Sequence, residues 1–534
     1  MWQENFPVMS IPVGLTLALL AISTLVAFFA RIFLKIYLIE MAVRKSGIPT
    51  RPSRHFLRGD TDAFKNSKGK SYMGFFGAAK ELGQSVFFMR LLSTPILVIT
   101  DPTVAQYVMT TRNFPKAAWV YKVITASAPT SLVGLNGFEH RRVRRQVMPA
   151  FSVNFLKKQV PVMVERSLFL MKRLDELAGN EINLQEWFGK TALDIVGLLG
   201  FGFDFGLVDT GDKEMKHMID TVIGSQTAIL KLDPTVFWRR NNFDKNYISQ
   251  KKKFDDIARD LIRKGRKEKE EGDTLDPEMM DDQRKNLNIL SLLLKTEFKN
   301  DWEKPLSDDE LIDQIITFIF AGSETSGNTL GFCVAFLSKN PSVLAKLRAE
   351  IDAAIEALPS LEDVTYNTAM SLKYLDCVLK EVLRMAPIIT ATTREVDAHG
   401  EVVAGYQVPK GTWLYVSTYA IHHSEALWTD PERFWPERFE QKTIDAEEAA
   451  GRKRHSYSYI PFASGATLAQ IEIKIILIHF ISMFDWDMIK GDPSEFGGTV
   501  SLRLNDCIVN LKRRVCAKRG LSRMRNPSLK GATA

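Results

Sequence analysis

Cysteine is scarce in this 534-residue chain: Cys333, Cys377, Cys507 and Cys516 are the four, and no two form a C-x-x-C pair. Thiols so few and so scattered exclude a disulfide framework and argue against a zinc or dithiol centre, which fits a reducing, cytosol-facing body. Internal repeats and low-complexity tracts are lacking too. The body also lacks a basic excess. The net charge is +7, and seven basic residues (Lys512, Arg513, Arg514, Lys518, Arg519, Arg523 and Arg525) lie between 512 and 525 with no acidic residue among them. The rest of the chain is close to neutral, so the tail reads as a solvated end near an anionic membrane or partner, and no nucleic-acid binding is expected.

What is present is ample apolar material. Hydrophobic residues make up 45% and charged residues 25%, the composition of an ordinary folded protein. From Phe6 to Ala30 no residue is charged, and a helix over the 19 residues from Pro12 to Ala30 would span roughly 28 Å, enough for one bilayer crossing. A cleaved signal peptide is the poorer reading, because Glu4 stands where a positive charge is wanted and the run ends at Phe28-Phe29-Ala30-Arg31 without an A-x-A-like site. Arg31, Lys35, Arg44 and Lys45 follow the span and only Glu4 precedes it, which places the body in the cytosol and the short N-terminus in the lumen. The polar stretch Ser46–Arg54, with Pro49 and Pro52, reads as a stiff linker. The expected divisions are a membrane anchor over 1–44, a body over 45–515 and a basic tail over 516–534.

Helical periodicity dominates from Val153 to Arg384, while Ile96–Thr100 and Thr412–Ser417 have the composition of strands, so the class is mainly α with small β-sheets. The charged run Lys251–Glu271 predicts a solvated helix. The longest helix is expected to open at Ser307, in a capping box with Glu310, and to end near Asn340 before Pro341. At its centre stands Ala321-Gly322-Ser323-Glu324-Thr325-Ser326, where glycine costs about 1 kcal/mol relative to alanine. Two explanations compete: a helix thinned so that a neighbour packs closely, or a surface for a flat cofactor where Glu324 and Thr325 hold water at an opened hydrogen-bond ladder. Glu381 and Arg384 share a face of an otherwise apolar helix, so the pair is expected to be buried and to need a third charged partner. Arg438, on the rigid stretch Trp428–Phe439, could supply it.

Taken in order, His140-x-x-x-Arg144, Ala321-Gly322-x-Glu324-Thr325, Glu381-x-x-Arg384, Pro436-Glu437-Arg438-Phe439 and Pro461-Phe462-x-x-Gly465 give the chain a specific resemblance to the cytochromes P-450, the haem-thiolate monooxygenases, over about 45–515. The resemblance implies the mainly helical fold of that family, with Glu381, Arg384 and Arg438 as its structural charge network. It implies haem as cofactor, with His140, Arg144 and Arg394 toward the propionates and Phe462 and Gly465 in the haem-binding loop. Glu324 and Thr325 would be the catalytic pair that helps deliver protons to iron-bound oxygen. His140 stands where the family more often has tryptophan.

At the haem-binding loop the chain departs from its relatives. They continue from the phenylalanine as F-x-x-G-x-x-x-C-x-G and reach A-x-x-E after it; here the sequence is Phe462-Ala-Ser-Gly465-Ala-Thr-Leu-Ala469-Gln-Ile-Glu472. The glycine and that alanine are ten positions apart in the family and four apart here, and the residue counted as the cysteine is Ala469. The axial cysteine is thus expected to be absent. Cys333 and Cys377 are too remote along their helices to replace it, and His455 or His479 would supply nitrogen instead of sulfur. Two readings follow. One is a monooxygenase of lipophilic substrates at the endoplasmic reticulum membrane, served by NADPH-cytochrome P-450 reductase with cytochrome b5 as a further donor, and impaired by the missing cysteine. The other is a non-catalytic membrane protein, a pseudoenzyme or splice or gene-model variant, that keeps the fold. The segments Trp119–Leu135 and Gly200–Phe237 would line the substrate pocket by family analogy.

Overall fold

A computed structural model of the chain describes residues 13–52, 55–65, 67, 70–230, 245–272, 288–295, 304–461, 467–498 and 501–514. Helix α1 (Val13–Ser46) has no charge before Arg31, and Leu17, Leu20, Leu25 and Phe28 are each more than half exposed. It is the one helix among the described residues long and apolar enough to cross a membrane. Its C-terminal end does something different: Ile36, Ile39 and Val43 are buried against the body. There the wholly buried Arg90 donates from Nε to Glu40 Oε1 at 2.8 Å.

The segment after α1 is not the spacer that its prolines suggest. The Phe88 amide donates to Pro49 O at 2.8 Å, and Arg51 donates to Glu81 at 2.9 Å and to Asp62 at 3.0 Å. A buried guanidinium needs such partners, so this stretch is docked on the body, and α1 continues past residue 44 to meet it.

The elements that frame the site follow in chain order. Strands β1 (Val86–Leu91) and β2 (Thr94–Ile99) form a hairpin. Then come α2 (Gly137–Val147), α3 (Leu184–Phe201), α4 (Lys245–Gly272), α5 (Asp308–Lys339) and α6 (Lys373–Met385). Strands β3 (Thr392–Glu395) and β4 (Trp413–Val416) complete the sheet. The short α7 (Thr418–His422) and the apolar α8 (Thr467–Met483) end the frame. The sheet order is β1-β2-β4-β3, with β2 parallel to β4 (Ile96 opposite Trp413) and β3 antiparallel to β4 (Thr392 opposite Val416). Both stretches that read as strands in the sequence are in this sheet.

Helix α5 starts at the Ser307–Glu310 capping box and stops at Asn340, as the sequence predicts. It lies against α3 through its glycines: a Cβ on Gly322 would come within 2.5 Å of Val196 Cγ2, and one on Gly327 within 2.8 Å of Gly189 Cα. Close packing by a neighbour therefore accounts for Gly322. Helix α4 carries the charged run and is solvated, with Arg259 paired to Asp309 at 2.7 Å in the first turn of α5. Buried faces of α3, α5, α6 and α8 form one apolar core, and a separate cluster fills the space between the sheet and the end of α1.

Candidate functional site

Between α5 and α8 lies a cavity of about 210 Å³, walled by Ala321, Thr325 and Ser326 of α5, Leu383 of α6, Thr392 of β3 and Ala469 of α8. That is below the roughly 300–1000 Å³ usual for cofactor sites. Thr325 reaches the cavity, but Glu324, turned about 100° from it around the helix, is not part of the wall. The hydrogen-bond ladder does not open here: α5 is helical without a break, and the Thr325 hydroxyl donates to Ala321 O at 2.6 Å. A threonine can satisfy its hydroxyl by bonding back one turn without breaking the helix, which corrects the expectation of an opened ladder.

At Arg394, two positions along β3 from the cavity-lining Thr392, three cationic side chains and one imidazole converge. Alternation along β3 puts Arg394 on the same face as Thr392. A β-bridge sets Lys116 opposite Arg394, and α2 contributes His140 and Arg144. Burial, with the Arg394 and Arg144 guanidiniums, pushes the Lys116 ammonium down to about 8. Burial and the charges of Lys116, Arg144, Arg394 and Arg141 push His140 down to about 4. No carboxylate among the described residues pairs with any of the four. Lys116 instead donates to the carbonyls of Leu132 and Leu135, each at 3.0 Å, and Arg394 Nε is buried with no hydrogen-bond partner among the described residues. This donor set fits a ligand that brings carboxylates. Sequence reasoning found Arg144, Arg394 and His140 by resemblance and missed Lys116, whose place depends on a bridge between segments 278 positions apart.

Away from the cavity, Glu381 joins Arg384 and Arg438, all three wholly buried. Arg384 donates to both carboxylate oxygens at 2.8 and 2.9 Å, and Arg438 Nε donates to Glu381 at 3.0 Å. Other guanidinium hydrogens go to backbone carbonyls, with His422 accepting from Arg384 and Thr429, Asp430 and Arg433 accepting from Arg438, and Arg384 also donates to Met385 Sδ. The pair is buried, and the third charged partner is Arg438.

Phe462 and Gly465 lie outside the described residues. Pro461 and Ala469, which flank that stretch on either side, both line the cavity. The described cysteines are elsewhere. Cys333, Cys377 and Cys507 are buried, and burial pushes the thiols of Cys377 and Cys507 up to about 11 and about 12. His479 is a satisfied core residue between Ser167 Oγ at 2.9 Å and Leu361 O at 3.1 Å, and His455 Nδ1 accepts from the Tyr457 amide. Among the described residues no group of three His, Cys, Asp or Glu side chains could hold a metal. One buried acid lies behind the cavity wall: Glu472 of α8 accepts from the cavity-lining Ser326 Oγ at 3.1 Å, and its other oxygen has no partner among the described residues. Burial pushes this carboxyl up to about 8. The segments 119–135 and 200–237 supply none of the cavity wall among the described residues.

A family model described as cytochrome P-450 matches residues 49–503. Cytochrome P-450 3A6 of Oryctolagus cuniculus is 29% identical over 422 residues, covering 74% of this chain and 78% of that protein. Cytochrome P-450 3A7 of Homo sapiens is 28% identical over 471 residues, covering 84% and 87%. Among solved structures, the heme domain of a mutant cytochrome P-450DA superposes with a TM-score of 0.74 at 21% identity, covering 89% of this chain and 99% of that one, a likeness of fold.

Proposed function

The chain belongs to the cytochrome P-450 family, and on that premise we propose that it is built as a haem-dependent monooxygenase of lipophilic molecules whose haem loading is impaired by the loss of the axial cysteine. Members of the family bind haem and are oxidoreductases. When held through a cysteine thiolate, haem supplies the oxygen-activating centre, because sulfur pushes electron density onto iron and favours cleavage of the oxygen–oxygen bond.

The observation that carries the reading is the set Lys116, Arg144 and Arg394, cationic groups with no carboxylate partner among the described residues, together with the His140 imidazole, all near the cavity on α5. A fixed guanidinium fork suits a propionate carboxylate. Thr325 would hold a proton at Oγ1 over the cavity, and Glu324 would feed protons toward it from outside the wall. Impairment rests on Ala469, which stands at the cavity where the family's spacing calls for cysteine. The positive flank Arg31, Lys35, Arg44 and Lys45 supports a body on the cytosolic side of the endoplasmic reticulum membrane. There a flavoprotein reductase, with cytochrome b5 as a second donor, would deliver electrons. A non-catalytic membrane-tethered role is the second reading, favoured by the small cavity.

Haem content and the carbon-monoxide difference spectrum of the reduced, full-length protein test both halves. The expected result is little haem and no thiolate-type Soret band. Inserting a family-like six-residue segment with cysteine between Ala466 and Thr467 should restore both signals. A thiolate band from the unaltered chain would overturn the impairment, and an insertion variant that takes no haem would overturn the monooxygenase design.

A further inference from the structure

Beside the C-terminal half of α1 runs a groove of about 1160 Å³, closed on the other side by the edge of the four-stranded sheet and the loop before β4. It exceeds the roughly 300–1000 Å³ of ordinary small-molecule sites. The α1 wall carries Arg31, Lys35 and Lys45, and Lys410 lines the groove from the opposite side. Glu395 is the one acidic residue in the lining, and it already accepts from the Ala118 amide at 3.2 Å. Between the cations the groove is apolar: Leu34 and Leu38 of α1 lie across from Trp119 and Trp413, whose rings stack 5.8 Å apart. Trp119 is half exposed, as are Leu34 and Leu38.

The height of the groove is fixed by the anchor. The uncharged part of α1, Val13–Ala30, measures about 27 Å at ~1.5 Å per residue, close to the hydrocarbon thickness of a bilayer. Arg31 therefore begins the headgroup layer, and the groove follows α1 for about 22 Å beyond it. Its two walls are held together, because Ile36, Ile39 and Val43 are buried on the body and Glu40 is bonded to Arg90. A site formed in advance does not charge its ligand the cost of ordering it.

We propose that this groove binds an anionic phospholipid, its phosphate and headgroup carboxylate between the α1 cations and Lys410 and an acyl chain along Leu34, Leu38 and Trp119. Basic pockets beside spanning helices on the cytoplasmic side take anionic headgroups. The proposal does not depend on haem chemistry.

The test uses the full-length chain in nanodiscs of phosphatidylcholine with phosphatidylserine, released into mild detergent, with retained phospholipid counted by native mass spectrometry. The unaltered chain should retain phosphatidylserine in preference to phosphatidylcholine. Lys35→Glu with Lys410→Glu should lower that preference at least ~25-fold, since the loss of each surface cation alone costs about fivefold toward an anionic membrane. Lys410→Glu alone should lose at least ~fivefold; it lies on the body, so altered insertion of α1 cannot produce the effect. Lys252→Glu with Lys264→Glu on the exposed face of α4 changes net charge equally and should leave the preference intact. Equal retention of both lipids by the unaltered chain, or an equal loss in the α4 control, would overturn the site.

Discussion

Two groups of guanidinium side chains lie in the interior of this protein, and their electrostatics are opposite. Around Glu381, each guanidinium has a carboxylate to pair with: two arginines share one carboxylate, and backbone carbonyls accept from other hydrogens of both. Around Arg394, Lys116, His140 and Arg144 gather with no carboxylate among the four, at the cost of depressed proton affinity in Lys116 and His140. The first arrangement is a finished piece of architecture. The second is tolerable only because it is partly wet, and no carboxylate among the described residues completes its charge. Glu472 is a third case, a buried acid with no cation beside it among the described residues. The comparison separates groups that hold the fold from groups that await something.

The sharpest way to break it is at Glu381. Glu381→Gln leaves two wholly buried guanidiniums facing a neutral amide, and an uncompensated buried charge costs about 3–5 kcal/mol. Urea unfolding of the variant should show a loss of that size, or no folded protein at all. An unchanged midpoint would mean that the carbonyls of His422, Thr429, Asp430 and Arg433 suffice to hold Arg384 and Arg438, and that the shared carboxylate is incidental.

How much of this was readable beforehand depended on how local each cause is. The start of α5 lies in four consecutive residues, Ser307 to Glu310, and its stop in Asn340 and Pro341, so both ends were legible. Glu381 and Arg384 are one turn apart, and apolar neighbours on every side signalled burial. Other features depend on partners distant in sequence. Nothing around Lys116 marks it, because its role comes from the bridge to Arg394. Gly322 left two explanations open until Val196 of α3 was seen 2.5 Å from where its Cβ would be. Pro49 and Pro52 suggested a spacer because the sequence does not reveal that Arg51 will find Asp62 and Glu81. Glu324 and Thr325 are neighbours in sequence, yet only Thr325 lines the cavity, since adjacent helical residues face different ways.

Glu472 should give a smaller effect than Glu381, because a lone buried carboxyl can neutralise itself by keeping its proton. Its ordinary value is 4.5 and burial raises it to about 8, so between those limits the folded protein holds a proton that the unfolded chain releases. Stability must therefore fall as pH rises across that window. Glu472→Gln removes the titration, and its unfolding midpoint should vary less between pH 5 and pH 8 than that of the unaltered chain, by a margin read directly from paired urea curves. Parallel profiles would mean that Glu472 is ionised and solvated in the native state, and would remove it as the counterexample to the balanced network.

The smallest change is expected where the charge is already unbalanced. Arg394→Ala removes a guanidinium whose Nε has no partner among the described residues, so stability should shift by less than about 1 kcal/mol, the net value of an ordinary hydrogen bond. The proton affinities of its neighbours should move instead. His140 sits at about 4 against an ordinary 6.5. Between those values the unfolded chain takes up the proton first, so this group makes stability rise with pH over that interval. Without Arg394 the His140 midpoint and that of Lys116, now about 8, should both rise, which NMR titration of the imidazole can follow directly. Carboxylates arriving with haem in a cysteine-restored variant should raise them further, because an anion favours the charged forms. An imidazole whose midpoint ignores both changes would show that His140 does not share one electrostatic site with Lys116, Arg144 and Arg394, and the contrast with Glu381 would fail.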